Sequence, residues 1–100
     1  MSYISYVERP DPEILQDLGR RLRALRGDRH QQEAADLAGL TRQTVARAEH
    51  GDNPTLLTLI RLLRAYGRLG ALESFIPEPE VSPMALLRET ETARRSRADG

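Results

Sequence analysis

Residues 31–51 read Gln-Gln-Glu-Ala-Ala-Asp-Leu-Ala-Gly-Leu-Thr-Arg-Gln-Thr-Val-Ala-Arg-Ala-Glu-His-Gly. Two short helices, residues 31–38 and 41–50, fit this stretch. Each is followed by a glycine (Gly39, Gly51) where a helix often ends in left-handed backbone. Thr41 has the right chemistry to cap the second helix. Ala35 is small enough for the two helices to cross closely over it, and Gly39 lies four residues later, at the turn. Val45 and Ala48 fall on the inner face of the second helix, with Leu37 and Leu40 expected to close the core around the turn. That leaves Thr41, Arg42, Gln43, Thr44 and Arg47 facing outward, and these are side chains that hydrogen-bond to base edges and phosphates.

The neighbouring sequence supplies three more helices. From Glu13, residues Ile14, Leu15, Leu18, Leu22 and Leu25 recur at helical spacing, arginines at 20, 21, 23 and 26 take mostly the other face, and Gly27-Asp28 ends the run. Asn53-Pro54-Thr55 has helix-start chemistry, followed by leucines that fill more than one face up to Tyr66. Leu69, Leu72, Phe75 and Ile76 mark a short fifth helix. Ahead of this unit, Tyr3, Ile4, Tyr6 and Val7 form an arm or short strand, interrupted by Pro10 and Pro12. Behind it, Pro77-Glu78-Pro79-Glu80-Val81-Ser82-Pro83 reads as an extended linker, and residues 84–97 have the character of a further helix with frayed ends. The expected organisation is an arm (1–12), an all-α compact five-helix domain (13–76) and an extended tail (77–100).

The 31–51 string, with the Asn-Pro-Thr and leucine-rich helix after it, resembles the phage-repressor/Cro-type (XRE-like) helix-turn-helix superfamily over roughly Leu18 to Ile76. The resemblance implies a lambda-repressor-like fold and a transcriptional regulator whose third helix enters the major groove. It makes Arg42 and Gln43 the leading base readers, through bidentate pairing of arginine with guanine and glutamine with adenine. Thr44 and Arg47 become base or phosphate contacts, and Gln31, at the start of the second helix, a phosphate contact. Glu49 is given a structural part, paired with Arg26 or Arg23. Two features depart from the family pattern. The connection 27–30 is short, and His30 stands where a threonine cap is usual, leaving Asp28 as the alternative cap.

The implied partner is double-stranded DNA with a pseudo-palindromic operator, bound by a homodimer because one such domain contacts too little DNA alone. Leu59, Leu62, Tyr66, Leu69 and Phe75 are candidates for the dimer seam, and Tyr3–Val7 for an intersubunit strand. The tail also gives a likeness to small HipB-type antitoxins, with 77–100 engaging a HipA-type kinase toxin. A restriction–modification controller is the third reading.

Composition bounds these readings. The 100 residues carry 15 basic and 15 acidic side chains, and every base is arginine. Residues 1–19 hold one arginine against four acids, residues 20–72 ten against five, and residues 73–100 four against six. Zero net charge is thus a cancellation between a basic middle and acidic ends, and the field is local because screening acts over about 8 Å. Absence of cysteine excludes disulfides, thiol nucleophiles and cysteine-ligated metals. His30 and His50 have no ligand partner nearby, no nucleophile elbow or phosphate-cradling glycine loop occurs, and no apolar run reaches the length of about 20 residues that spans a bilayer. A cytoplasmic, non-enzymatic chain without cofactor, metal or membrane association is expected.

Overall fold

The computed structural model describes residues 5–79 together with residues 84, 87 and 88. Among the described residues all regular structure is helical: α1 (Asp11–Arg26), α2 (Gln31–Ala38), α3 (Arg42–His50), α4 (Leu56–Ala65) and α5 (Leu72–Phe75), with 3-10 turns at Tyr6–Glu8 and Leu69–Ala71. The expected all-α five-helix architecture is what folds. No helix among the described residues is long and apolar enough to cross a membrane. Most of the tail expected as linker, helix and partner-binding element lies outside the described residues.

α1 begins at Asp11, two residues ahead of Glu13, because Pro12 sits in the first turn, where a missing backbone N–H leaves nothing unpaired. The strand reading of Tyr3–Val7 is corrected where the chain is described. Ser5 caps a 3-10 turn, its hydroxyl accepting from the Val7 N–H at 3.3 Å. Tyr3 and Ile4 lie outside the described residues.

The buried core is Leu22, Ala34, Ala35, Ala38, Val45, Ala48, Leu62 and Leu63, with Leu25, Leu40, Leu59, Tyr66, Leu69 and Leu72 packed against it. Leu40 closes the turn as expected. Leu37 does not: it is 60% exposed, because Ala34, Ala35 and Ala38 define the buried stripe of α2 and residue 37 falls beside it. Leu62, read as a seam candidate, is fully buried and belongs to the core, whereas Phe75 is more than half exposed.

Two glycines set the geometry. Gly39 ends α2 in left-handed backbone (φ 68°), which lets the Leu40 N–H reach back to the Ala35 carbonyl at 2.8 Å and turns the chain into α3. Gly19, buried in the middle of α1, lies against the last turn of α3. A Cβ there would overlap the Glu49 carbonyl and stand 2.9 Å from the Ala48 carbonyl oxygen. Only a residue without a side chain permits this approach of α1 to α3.

The segment before α1 is pinned to its outer face. The buried Asp17 carboxylate accepts a hydrogen bond from the Tyr6 hydroxyl and pairs with Arg20, with Arg21 at 3.1 Å and with Arg9 at 4.0 Å. The Arg9 and Arg21 guanidinium groups also lie 5.8 and 5.4 Å from the centre of the Tyr6 ring. The Tyr6 hydrogen bond, and after it the charges of Arg21, Arg20 and Arg9, hold the Asp17 carboxyl below its ordinary range against the opposing effect of burial.

Two outcomes follow for measurement. Gly19→Ala lowers the thermal midpoint, with overpacking against rigid backbone outweighing the helix-propensity gain and leaving a net loss of about 1–2 kcal/mol. Gly70→Ala, where a Cβ meets nothing within 4 Å, is the matched control and leaves the midpoint nearly unchanged. Because the folded Asp17 pKa is depressed, its contribution is complete above the unfolded value near 3.9 and is lost as pH falls through the lower folded value. NMR of the Tyr6 ring reads this as an acid-dependent release that Asp17→Asn abolishes.

Candidate nucleic-acid interface

α3 starts on a side-chain cap. The Thr41 hydroxyl accepts from the Thr44 N–H at 3.1 Å and lies 2.8 Å from the Thr44 hydroxyl. Both threonine hydroxyls expected to face a ligand are therefore engaged with each other, and Thr41 in particular serves as the cap. Arg42, Gln43 and Arg47 are exposed, and no hydrogen bond or ion pair to any described residue engages them. At about 100° per residue, Arg42, Gln43 and Arg47 share one arc of α3, opposite Val45 and Ala48. The same arc includes Ala46 and His50, which the reading of the sequence passed over and a helical projection would have found.

The orientation of that arc is fixed from behind. Arg26, in the last turn of α1, grips Glu49 bidentately, Nε to Oε2 at 2.7 Å and Nη2 to Oε1 at 2.9 Å. The side chains are 13% and 6% exposed, so the pair is mostly out of water. Arg26, not Arg23, is thus the partner of Glu49. The hydrogen bonds to Glu49 outweigh burial and raise the Arg26 pKa above its ordinary value. Arg26 Nη1 also donates to the Arg29 carbonyl at 2.6 Å, which holds the short connection between α1 and α2. His30, not Asp28, is the N-cap residue of α2, and the Glu33 carboxylate reaches back to accept from the His30 N–H at 3.4 Å.

Gln31 is drawn into this network: its amide nitrogen donates to Glu49 Oε1 at 3.2 Å. An amide NH₂ has two hydrogens, so one remains for a ligand. The Tyr66 hydroxyl is buried with no hydrogen-bond partner among the described residues, and burial, reinforced by the charge of Glu49, raises its pKa.

Two polar clefts flank α3. One, of about 290 Å³, is bounded by Arg23, Arg26, Gln31, Glu49 and His50. The other, also about 290 Å³, lies towards the loop before α4 and is bounded by Thr44, Arg47, Asp52, Asn53 and Thr55, among others. Asn53 adopts left-handed backbone (φ 46°), which asparagine tolerates better than most residues. Gln31, Thr44 and Arg47 therefore stand in the flanking clefts while Arg42 and Gln43 stand on the exposed arc at the start of α3. Arg23, His50 and Asn53 join them although sequence reasoning named none for this purpose. Among the described residues no group of three histidine, aspartate or glutamate side chains is placed to hold a metal ion.

The profile of the family described as Helix-turn-helix matches residues 20–70. Neither the curated proteins nor the solved structures contain a match to the chain.

The clasp at Glu49 has a measurable signature. Truncating either partner strands a buried charge, so Glu49→Ala and Arg26→Ala each cost about 3–5 kcal/mol in urea unfolding. The double variant Arg26→Met/Glu49→Leu, which removes both charges and keeps the volume, costs less than either single change.

Proposed function

The chain belongs to the helix-turn-helix family, which makes it a DNA-binding transcription regulator, and from that premise we propose a sequence-specific repressor that binds a pseudo-palindromic operator as a homodimer. The domain that does this is residues 13–76, with α3 in the major groove. The observation that carries the reading is the set Arg42, Gln43 and Arg47: exposed, unengaged, and presented on a helix whose back is held by Glu49 and Gly19.

The dimensions agree. α3 has nine residues and is about 14 Å long, and a helix about 10–12 Å across fits a groove about 12 Å wide. In that pose Arg42 and Gln43 meet base edges at the leading end of α3. The two clefts flank the helix as the two phosphate backbones flank the groove, so Gln31, with its second amide hydrogen, serves one strand, and Thr44 and Arg47 serve the other. Two copies place their α3 helices one helical turn apart, about 34 Å. The acidic flanks weaken long-range attraction, so base contacts supply a larger share of affinity than in a uniformly basic protein.

Binding-site selection from random duplex DNA, followed by titration of the selected site, tests this. Arg42→Ala loses about 1–3 kcal/mol on the selected site and relaxes preference at one base position, with little change on random DNA. Equal loss on both DNAs would place Arg42 on phosphate, and selected sites without half-site symmetry would remove the homodimer from the reading.

A further inference from the structure

Behind the DNA face the protein has a second, apolar feature. A groove of about 210 Å³ runs between α1 and α4 and ends at α5, bounded by Leu18, Leu25, Leu59, Leu63, Leu72 and Phe75. A smaller cleft of about 180 Å³ shares Leu18 and Leu59 with it and extends the apolar strip to Leu15 and Leu56. Phe75 and Leu56 are 54% and 58% exposed, an arrangement that marks an interaction surface when it is contiguous. No residue of α2 or α3 lines the larger groove, so an occupant would leave the DNA face open.

The same chain carries a matching apolar surface. Met84 and Leu87 have helical backbone, lie three residues apart and therefore share a face, and are 63% and 55% exposed. Charge is complementary as well. Arg21 lines the groove with its side chain 68% exposed although it pairs with Asp17, while the sequence around Met84 and Leu87 carries Glu78, Glu80, Glu89 and Glu91 against one base, Arg88. The chain leaves the groove wall at Phe75, and prolines at 77, 79 and 83 favour extended backbone of about 3.1 Å per residue. Both Met84 and Leu87 are exposed, so neither fills the groove of its own chain.

We propose that Met84 and Leu87 of one chain dock in the α1–α4 groove of a second copy, reciprocally, so that exchanged tails close the dimer. This rests on the homodimer reading above and assigns its seam. The exchange is isologous, each copy giving one tail and receiving one.

The full chain tests this by sedimentation equilibrium and by paramagnetic NMR. The wild type is a dimer, and Met84→Asp/Leu87→Asp weakens dimerisation about ten-fold or more while leaving the helical circular dichroism unchanged, since both side chains are exposed. The chain has no cysteine, so Thr90→Cys gives a unique spin-label site. Mixed with unlabelled ¹⁵N protein, the labelled chain broadens the Leu18, Leu59 and Phe75 amides of its partner. If the double variant dimerises like the wild type, the seam lies elsewhere and this proposal fails while the homodimer reading stands. Broadening that appears when the spin-labelled chain itself carries ¹⁵N, and is absent from the mixed sample, would show docking within one copy and overturn the exchange. A wild type that is monomeric with and without operator DNA would overturn both.

Discussion

The outward face of α3 is positioned by one contact, the seating of its last turn against α1. Gly19 removes the side chain that would hold the helices apart, and Arg26 reaches across to take both oxygens of Glu49. Neither element suffices alone. Close packing fixes separation but leaves a helix free to turn about its axis, whereas a two-pronged bond to a carboxylate fixes rotation. Because the same guanidinium also holds the Arg29 carbonyl and Glu49 also receives Gln31, the clasp sets the position of the α1–α2 connection and the start of α2 along with α3.

Three of the five acids of the basic middle region are occupied with internal work. Glu49 is buried against Arg26, Glu33 accepts from the His30 N–H, and Asp36 accepts from the Gln32 amide at 2.9 Å. Just upstream, Asp17 draws in Tyr6, Arg20 and Arg21 on the outer face of α1. The carboxylates of Glu33, Asp36 and Glu49 are thus turned away from the arc of α3 that bears Arg42, Gln43 and Arg47, and Asp52 stays beside Arg47 in the flanking cleft. A chain of zero net charge thereby presents a locally positive surface, and the sign of that surface comes from where carboxylates are consumed as much as from where arginines are placed.

The short-range features of this architecture could be read from the chain because each has a local cause. Gly39, Gly51 and Thr41 punctuate helices through backbone preference and capping, and the leucines of α1 and α4 repeat at helical spacing. Features that depend on distant partners could not be read this way. Gly19 in sequence looks like a weak point in a helix, and only the carbonyls of Ala48 and Glu49 reveal its purpose. Asp17 in sequence is one more acid towards the start of α1, and only the Tyr6 hydroxyl and the arginines around it reveal its part. The choice of Arg26 over Arg23 for Glu49, and the diversion of Gln31 to the same carboxylate, are decided by the path of a connection four residues long. Leu37 shows the opposite failure: its apolar side chain implied burial, but the stripe of α2 is set by three alanines and leaves it in solvent.

Those alanines have a thermodynamic consequence. Four of the eight buried apolar residues are alanine (Ala34, Ala35, Ala38 and Ala48), so the helices pack close together while removing little hydrocarbon from water. The heat-capacity increment of unfolding scales with apolar surface exposed. With alanine at these four positions the increment is smaller than larger aliphatic side chains there would give, and the curve of stability against temperature is flatter to that extent.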